Sequence, residues 1–330
     1  LFGPEHGIDG GAQAGSAVTD AVDSRTRLPV YSLYGPTRRP APTTLEGLDT
    51  LVFDIQDVGL RWYTYPWTLS YVMEACAEAK VPLVVLDRPN PLGGHGVEGL
   101  QLDESCRSFI GRFPVPARHG LTLGEMARHL ARVHLPGVDL TVIPCQNWKA
   151  DQLWPATRLP WISPSPNLPT FDSLLAYAAL TFLEGTNVSE GRGTTRPFEQ
   201  FGAPWLDHET LVHSLRALNL PGLLWRPVFF TPTFSKFSGQ LCRGISLHIT
   251  NPQTAPLFEA GLRVHHLLKK LHPEYLPLPP WKEGSQPPLA LLFGTLDILG
   301  DTTVEALLTR SAEVCRAWNQ VRQPDLMYER

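Results

Sequence analysis

A strand–helix–strand pattern between residues 51 and 86 limits the fold of this chain more than any other feature. Leu51-Val52-Phe53 and Leu83-Val84-Val85-Leu86 are short, continuous apolar runs that end in polar residues: Asp54, Gln56 and Asp57 after the first, Asp87, Arg88 and Asn90 after the second. Between them, Thr68 to Lys80 sets Leu69, Val72, Met73, Ala75, Cys76 and Ala79 at helical period. Two buried parallel strands joined by a helix make a βαβ unit, whose crossover is right-handed. Thr122 and Glu125 read as a capping box opening a helix through His134, and Leu140-Thr141-Val142-Ile143 supplies a further strand. Beyond about Ala203 the pattern changes to short elements: a helix at 211–218, strands at 228–231 and 245–250, and helices at 256–271 and 303–321. The Pro-rich stretch 277–288 reads as a loop or linker. The expected architecture is an α/β domain over residues 1–203 and a smaller C-terminal α+β domain over 204–330.

Composition narrows the function classes. A formal charge of −4 and a pI near 6.3 supply no basic surface for nucleic acid. No apolar run reaches the roughly 20 residues that a membrane span requires. The five cysteines are widely spaced and contain no CxxC pair, so neither a zinc knuckle nor a disulfide framework is indicated. GxGxxG after a strand, the Walker GxxxxGK[ST] and the GxSxG elbow are all missing, which removes dinucleotide, P-loop and α/β-hydrolase readings. No HxH or HExxH spacing supports a metal, although Glu5, His6, Asp54, Asp57 and Asp87 form a carboxylate-rich set.

In open α/β sheets ligands bind beyond the carboxyl ends of the strands, where Asp54, Asp57, Asp87, Arg88 and Asn90 fall. GPEHG at residues 3–7 also follows a strand-like start and brings Glu5 and His6 to the same rim. A second concentration of chemistry is EGTNVSEGRGTTR, residues 184–196, in which Val188 is the lone apolar residue. Glycine there lets backbone approach a ligand, and arginine clamps carboxylates through a planar fork. Paired carboxylates suit glycoside cleavage, in which one carboxyl donates a proton to the leaving oxygen and a second group acts on the other side of the sugar. Glu5, Glu184, Glu190, Asp54 and Asp57 are the candidates, with Trp62, Tyr63, Tyr65 and Trp67 nearby for stacking, Trp67 being the one best read as core.

The motifs FGPEHG, LPVYSLYG, FDIQDVG, RWYTY, VLDRPNPLGG, RHG, PSPNLP, EGTNVSEGRGTTRPFE and TPTFSK run in order through nearly the whole chain. In this the chain resembles the NamZ-type exo-β-N-acetylmuramidases, glycosidases of bacterial cell-wall turnover. The resemblance implies a Rossmann-like domain without a dinucleotide site, a C-terminal α/β domain and no cofactor. It implies release of N-acetylmuramic acid (MurNAc) from the non-reducing ends of peptidoglycan-derived MurNAc–GlcNAc saccharides. Export to the periplasm or exterior is an expectation of the same kind, and nothing in the sequence sets an oligomeric state. Two departures stand out: the chain begins inside the first shared motif, where family members carry an upstream strand and helix, and Tyr177-Ala178-Ala179-Leu180 replaces an expected Pro-Gly turn.

By the resemblance, Glu5 is the first candidate for general acid, with Glu190 and then Glu184 as its partner. Arg61, Arg88, Arg118, Arg192 and Arg196 are candidates for the lactyl carboxylate that distinguishes MurNAc from GlcNAc. His6 is expected to tune the acid, and Asp54 and Asp57 to orient hydroxyls or the acetamide. Gln56, Tyr63, Asn90, His119, Asn167 and Asn187 complete the expected substrate-binding set. A catalytically silent carbohydrate-binding protein and a metal-dependent hydrolase on the same substrate are the alternatives.

Overall fold

In the computed structural model, which describes residues Leu1–Arg330, the two apolar runs pair as parallel strands. The chain divides into two units, one formed by Leu1–Val97, His119–Pro169 and Trp318–Arg330, the other by Glu98–Arg118 and Thr170–Ala317.

In the first unit the strands Leu51–Phe53, Leu83–Leu86 and Leu140–Ile143 lie side by side in that order, all parallel, with Leu51 opposite Leu83 and Leu83 opposite Leu140. Leu51, Phe53, Leu83 and Val85 are buried on one face, while Val52 and Ile143 on the other are exposed. Helices Tyr65–Ala79 and Leu123–Val133 pack against each other, the second also against the central strand. Full burial of a side chain such as Leu83 contributes about 1.5–3 kcal/mol. Pro66 opens the first helix, where its missing N–H costs nothing, and Lys80 in left-handed conformation ends it with its N–H turned back to the last carbonyls. The second helix has the reciprocal capping box of Thr122 and Glu125.

Phe2–Gly3 is a strand, but it belongs to a separate small sheet, parallel to Pro29–Ser32. The last residues of the chain also pack into this unit. The Trp318 indole donates to His119 O at 2.8 Å, Arg322 Nη1 to Gly120 O at 2.6 Å, and Met327 N to Glu125 Oε1 at 2.9 Å.

The second unit is built on an antiparallel sheet ordered Leu223–Phe230, Cys242–Ile249, Gln200–Ala203. Every residue of Gln200–Ala203 is buried. Helices Phe171–Leu180, His208–Ala217 and Leu257–Leu271 cover this core. A hairpin of Glu98–Gln101 and Pro116–Arg118 belongs here too, joined to helix Leu257–Leu271 where Glu98 Oε2 accepts from Phe258 N at 2.9 Å. No helix is long and apolar enough to cross a membrane.

Candidate active site

The first unit gathers three of the sequence motifs around Glu5. Its strand ends at Gly3, and Glu5 sits in the following turn with only 8% of its surface exposed. The Thr64 hydroxyl donates to Glu5 Oε2 at 2.8 Å, and Gly15 N–H donates to Oε1 at 3.1 Å. The Tyr65 hydroxyl lies 3.2 Å from both Glu5 O and Pro164 O, and the Tyr63 hydroxyl donates to Pro164 O at 2.6 Å. The two rings meet edge to face, with centroids 4.8 Å apart. Asn167 Nδ2 then donates to Gln13 Oε1 at 2.9 Å, tying the segment that follows GPEHG to PSPNLP. His6 has φ of 73° and is buried, and its Nδ1 donates to Ala12 O at 2.7 Å. That bond makes Nδ1 the protonated, donating nitrogen of the ring. A non-glycine residue held in the left-handed region beside a buried carboxyl is the kind of strain that collects at working sites.

The polar residues after the central strands have internal partners. Arg88 Nε pairs with Asp54 Oδ1 at 2.7 Å, both side chains being partly exposed. Asp87 accepts from the Thr122 hydroxyl at 2.6 Å, from Gly124 N at 2.7 Å and from the Tyr328 hydroxyl. Burial nevertheless raises its carboxyl above the usual range. Gln56 Nε2 donates to Asp57 O at 2.6 Å and Pro89 O at 2.9 Å, and Asn90 bridges Leu121 O and Leu92 N. Arg61 is fully buried.

Asp57 and His119 form an interior pair. Asp57 accepts from Gly59 N at 2.9 Å, and burial raises its carboxyl to about 7. Leu121 N–H donates to His119 Nδ1 at 3.2 Å, which leaves the ring proton on Nε2, facing Asp57 Oδ2 at 3.8 Å. That separation is too long for a hydrogen bond, and both His119 Nε2 and Asp57 Oδ1 are buried without a partner. Burial, then the charges of Arg322 and His129, lower His119 to about 3, so the imidazole is neutral at physiological pH.

In the second unit the EGTNVSEGRGTTR stretch orders two carboxylates between two cations. Arg192 Nη2 bonds Glu184 Oε1, and its Nε lies 3.2 Å from Glu190 Oε1. The guanidinium stacks over the Phe198 ring at 5.0 Å. Lys236 Nζ takes the other Glu190 oxygen at 2.9 Å. The two glutamates are driven apart. Burial raises the Glu184 carboxyl in spite of Arg192, whereas for Glu190 the burial penalty is outweighed by Lys236 and Arg192 and the carboxyl falls below its ordinary value. Glu190 is therefore held ionised with both oxygens occupied, and Glu184 is the more exposed and more readily protonated of the two. Asn187 bonds Glu274 O at 2.7 Å and Leu276 N at 2.9 Å, Arg196 pairs with Glu199 at 2.8 Å, and Arg118 pairs with Glu98 at 2.6 Å. No three His, Cys, Asp or Glu side chains gather where they would ligate one ion.

Two family models match this chain. Residues 1–172 match the N-terminal part of exo-β-N-acetylmuramidase NamZ and residues 175–328 its C-terminal part. The chain belongs to the NamZ family. It is 48% identical over 274 residues to the peptidoglycan β-N-acetylmuramidase NamZ of Bacillus subtilis strain 168, an alignment covering 83% of this chain and 66% of that protein, just under two thirds of its length. Two crystal structures of DUF1343 family proteins from Bacteroides fragilis NCTC 9343 are also similar. The first has a TM-score of 0.90 at 33% identity, covering 100% of this chain and 86% of the other. The second has a TM-score of 0.72 at 32% identity, covering 93% and 82%. The NamZ N-terminal match contains Glu5 and its surroundings, and the C-terminal match contains Glu184, Glu190, Arg192 and Lys236. Thr64, Phe198 and Lys236 stand outside the substrate-binding and catalytic set drawn from the sequence, and Tyr65 entered it only as a stacking ring. Each lies within or beside a quoted motif, but only the fold shows what its side chain reaches.

Proposed function

We propose that this NamZ-family chain is an exo-acting β-N-acetylmuramidase, releasing MurNAc from the non-reducing ends of peptidoglycan fragments by carboxylate chemistry. The observation that carries the reading is Glu5. It is a buried carboxyl, bonded through both oxygens to neutral groups, with no cationic partner, in a motif of the NamZ N-terminal match. Glu5 is the proton donor to the leaving oxygen, a role a salt-bridged carboxylate fills poorly. Glu184 and Glu190 are the family-based candidates for the second carboxylate. Of these, Glu184 is the reactive candidate, since both Glu190 oxygens are held by cations. Arg192 is buried between the two glutamates and orders the loop; Arg88 and Arg196, each in a weak, partly exposed ion pair with Asp54 and Glu199, are the better candidates for the lactyl group. A cell-wall substrate carries with it a location outside the cytoplasm, which fractionation of the native host would test.

The test is chromophore release from aryl β-MurNAc and aryl β-GlcNAc, each with and without EDTA. Turnover of the MurNAc glycoside alone, indifferent to EDTA, is expected. Glu5→Gln keeps the shape and removes the transferable proton, so it should lower kcat by at least about 10³-fold with an unchanged melting temperature. MurNAc binding without turnover by the wild-type protein would replace the enzyme with a binding protein, and loss of activity in EDTA would make it a metal-dependent hydrolase.

A further inference from the structure

Lys236 lies 40 residues beyond the end of the Glu184–Arg196 stretch, yet its ammonium sits against that stretch's own backbone. Nζ donates to Leu183 O at 2.7 Å and Val188 O at 3.1 Å, lies 3.4 Å from Glu184 O, and bonds Glu190 Oε2 at 2.9 Å. An ammonium has three protons, so the three short contacts use them and Glu184 O shares one. Those acceptors come from both ends of one loop, which the single charge therefore closes. The segment carrying Lys236 is itself held to the loop, with Thr233 N and Oγ1 both donating to Gly193 O, at 2.8 and 2.9 Å. Its neighbours Ser235 and Phe237 have φ of 68° and 56°. Two adjacent-but-one residues in the left-handed region mark a backbone bent against its preference, held by what lies between them.

We propose that Lys236 is a positioning residue for catalysis. It fixes the backbone at Glu184 and the carboxylate of Glu190, and so holds Arg192 in register between the two glutamates. This rests on the muramidase reading above. Arginine is not a substitute, because a planar fork does not enter a cage of acceptors that converge on one point.

Lys236→Ala leaves that cage without its cation, and a small alkylammonium has the charge and N–H donors to refill it. With aryl β-MurNAc, the variant should lose about 10²-fold in kcat with KM changed by no more than about threefold. Ethylammonium should restore at least about tenfold of that loss, while tetramethylammonium, with no N–H, should restore nothing. Hydrogen exchange of the amides from Asn187 to Gly193 gives a readout that needs no turnover. It should quicken by about tenfold in the variant and slow again with ethylammonium. If the alanine variant does not fold, Lys236→Met keeps the aliphatic stem and leaves only the Nζ position open, so the same comparison is made with ammonium ion in place of ethylammonium. Activity within about threefold of wild type, or unchanged exchange, would overturn the proposal, as would a loss that no ammonium restores. Wild-type protein inert towards the glycoside would instead sink the muramidase reading, with the exchange data still deciding what Lys236 does to the loop.

Discussion

At the residue scale, Glu190 is held between two cations, with Arg192 on one carboxylate oxygen and Lys236 on the other. Arg192 reads as a free carboxylate clamp in EGTNVSEGRGTTR, and the fold shows it bonded to Glu184 and Glu190 and stacked on Phe198. The partner that decides Glu190's charge, Lys236, is remote in sequence, so no local spacing reveals it. The glycines are more legible, since their density signals tight backbone, and Gly193 supports a sharp prediction. It has φ of +80°, and a Cβ there would lie 2.4 Å from Phe234 O and 2.7 Å from Phe234 N. Gly239 has nearly the same conformation, φ of +75°, with nothing within 4 Å of a Cβ. Gly239→Ala should cost about 1 kcal/mol for the left-handed backbone alone. Gly193→Ala should cost at least about 2 kcal/mol more, because the obstructing atoms are backbone and cannot rotate away. On the proposed function it should also slow turnover of aryl β-MurNAc by displacing Arg192. Equal melting temperatures for the two variants would show that the TPTFSK segment yields to the added methyl.

At the element scale, the βαβ unit, the capping box and the third parallel strand were legible because each is written in a contiguous run of residues. Helix Leu123–Val133 shows what was not. Its apolar face, Leu123, Met126, Ala127 and Leu130, follows from period. The buried His129 on the same helix has no sequence explanation until Asp325, 196 residues away, is seen accepting from its Nδ1 at 2.9 Å. Asp325 also takes Arg132 Nε at 2.8 Å and is itself 2% exposed. Removing it strands a buried imidazole, while Arg132, partly exposed, can rehydrate. Asp325→Ala is therefore expected to cost about 3 kcal/mol, the upper end for leaving a buried polar group unpaired. Tyr328→Phe removes one of four donors to Asp87 and should cost only about 1 kcal/mol. Urea midpoints at neutral pH separate the two. A loss of under about 1 kcal/mol for Asp325→Ala would mean that the C-terminal segment is a covering and not a brace.

At the scale of the whole molecule, pH dependence of stability collects what burial does to individual groups, and Asp57 and His119 enter it with opposite signs. Both stand in motifs that read as ligand-facing, and both are buried inside the first unit. Asp57 is raised from 3.8 to about 7, so over that interval the native state holds a proton the unfolded chain has lost. Its contribution is present below pH 4 and disappears as pH rises through 7. His119 is lowered from 6.5 to about 3, so over that interval the unfolded chain binds a proton the native state refuses. Its stabilising effect is present above pH 6.5 and disappears as pH falls through 3. Each slope is about 1.4 kcal/mol per pH unit. Between about pH 4 and 6.5 they oppose and cancel, so the pair leaves little trace in the wild-type curve there. Asp57→Asn removes one of them. Because Asp57 is neutral in the native state across this range, its loss leaves the electrostatic setting of His119 little changed. The stability of Asp57→Asn relative to wild type should then rise with pH by about 1.4 kcal/mol per unit from pH 4.5 to 6.5, and level off above 7. Urea unfolding of both proteins at half-unit intervals measures this directly. Parallel curves would mean that Asp57 keeps an ordinary carboxyl in the folded protein, and that the interior around His119 is wetter than the geometry of the pair implies.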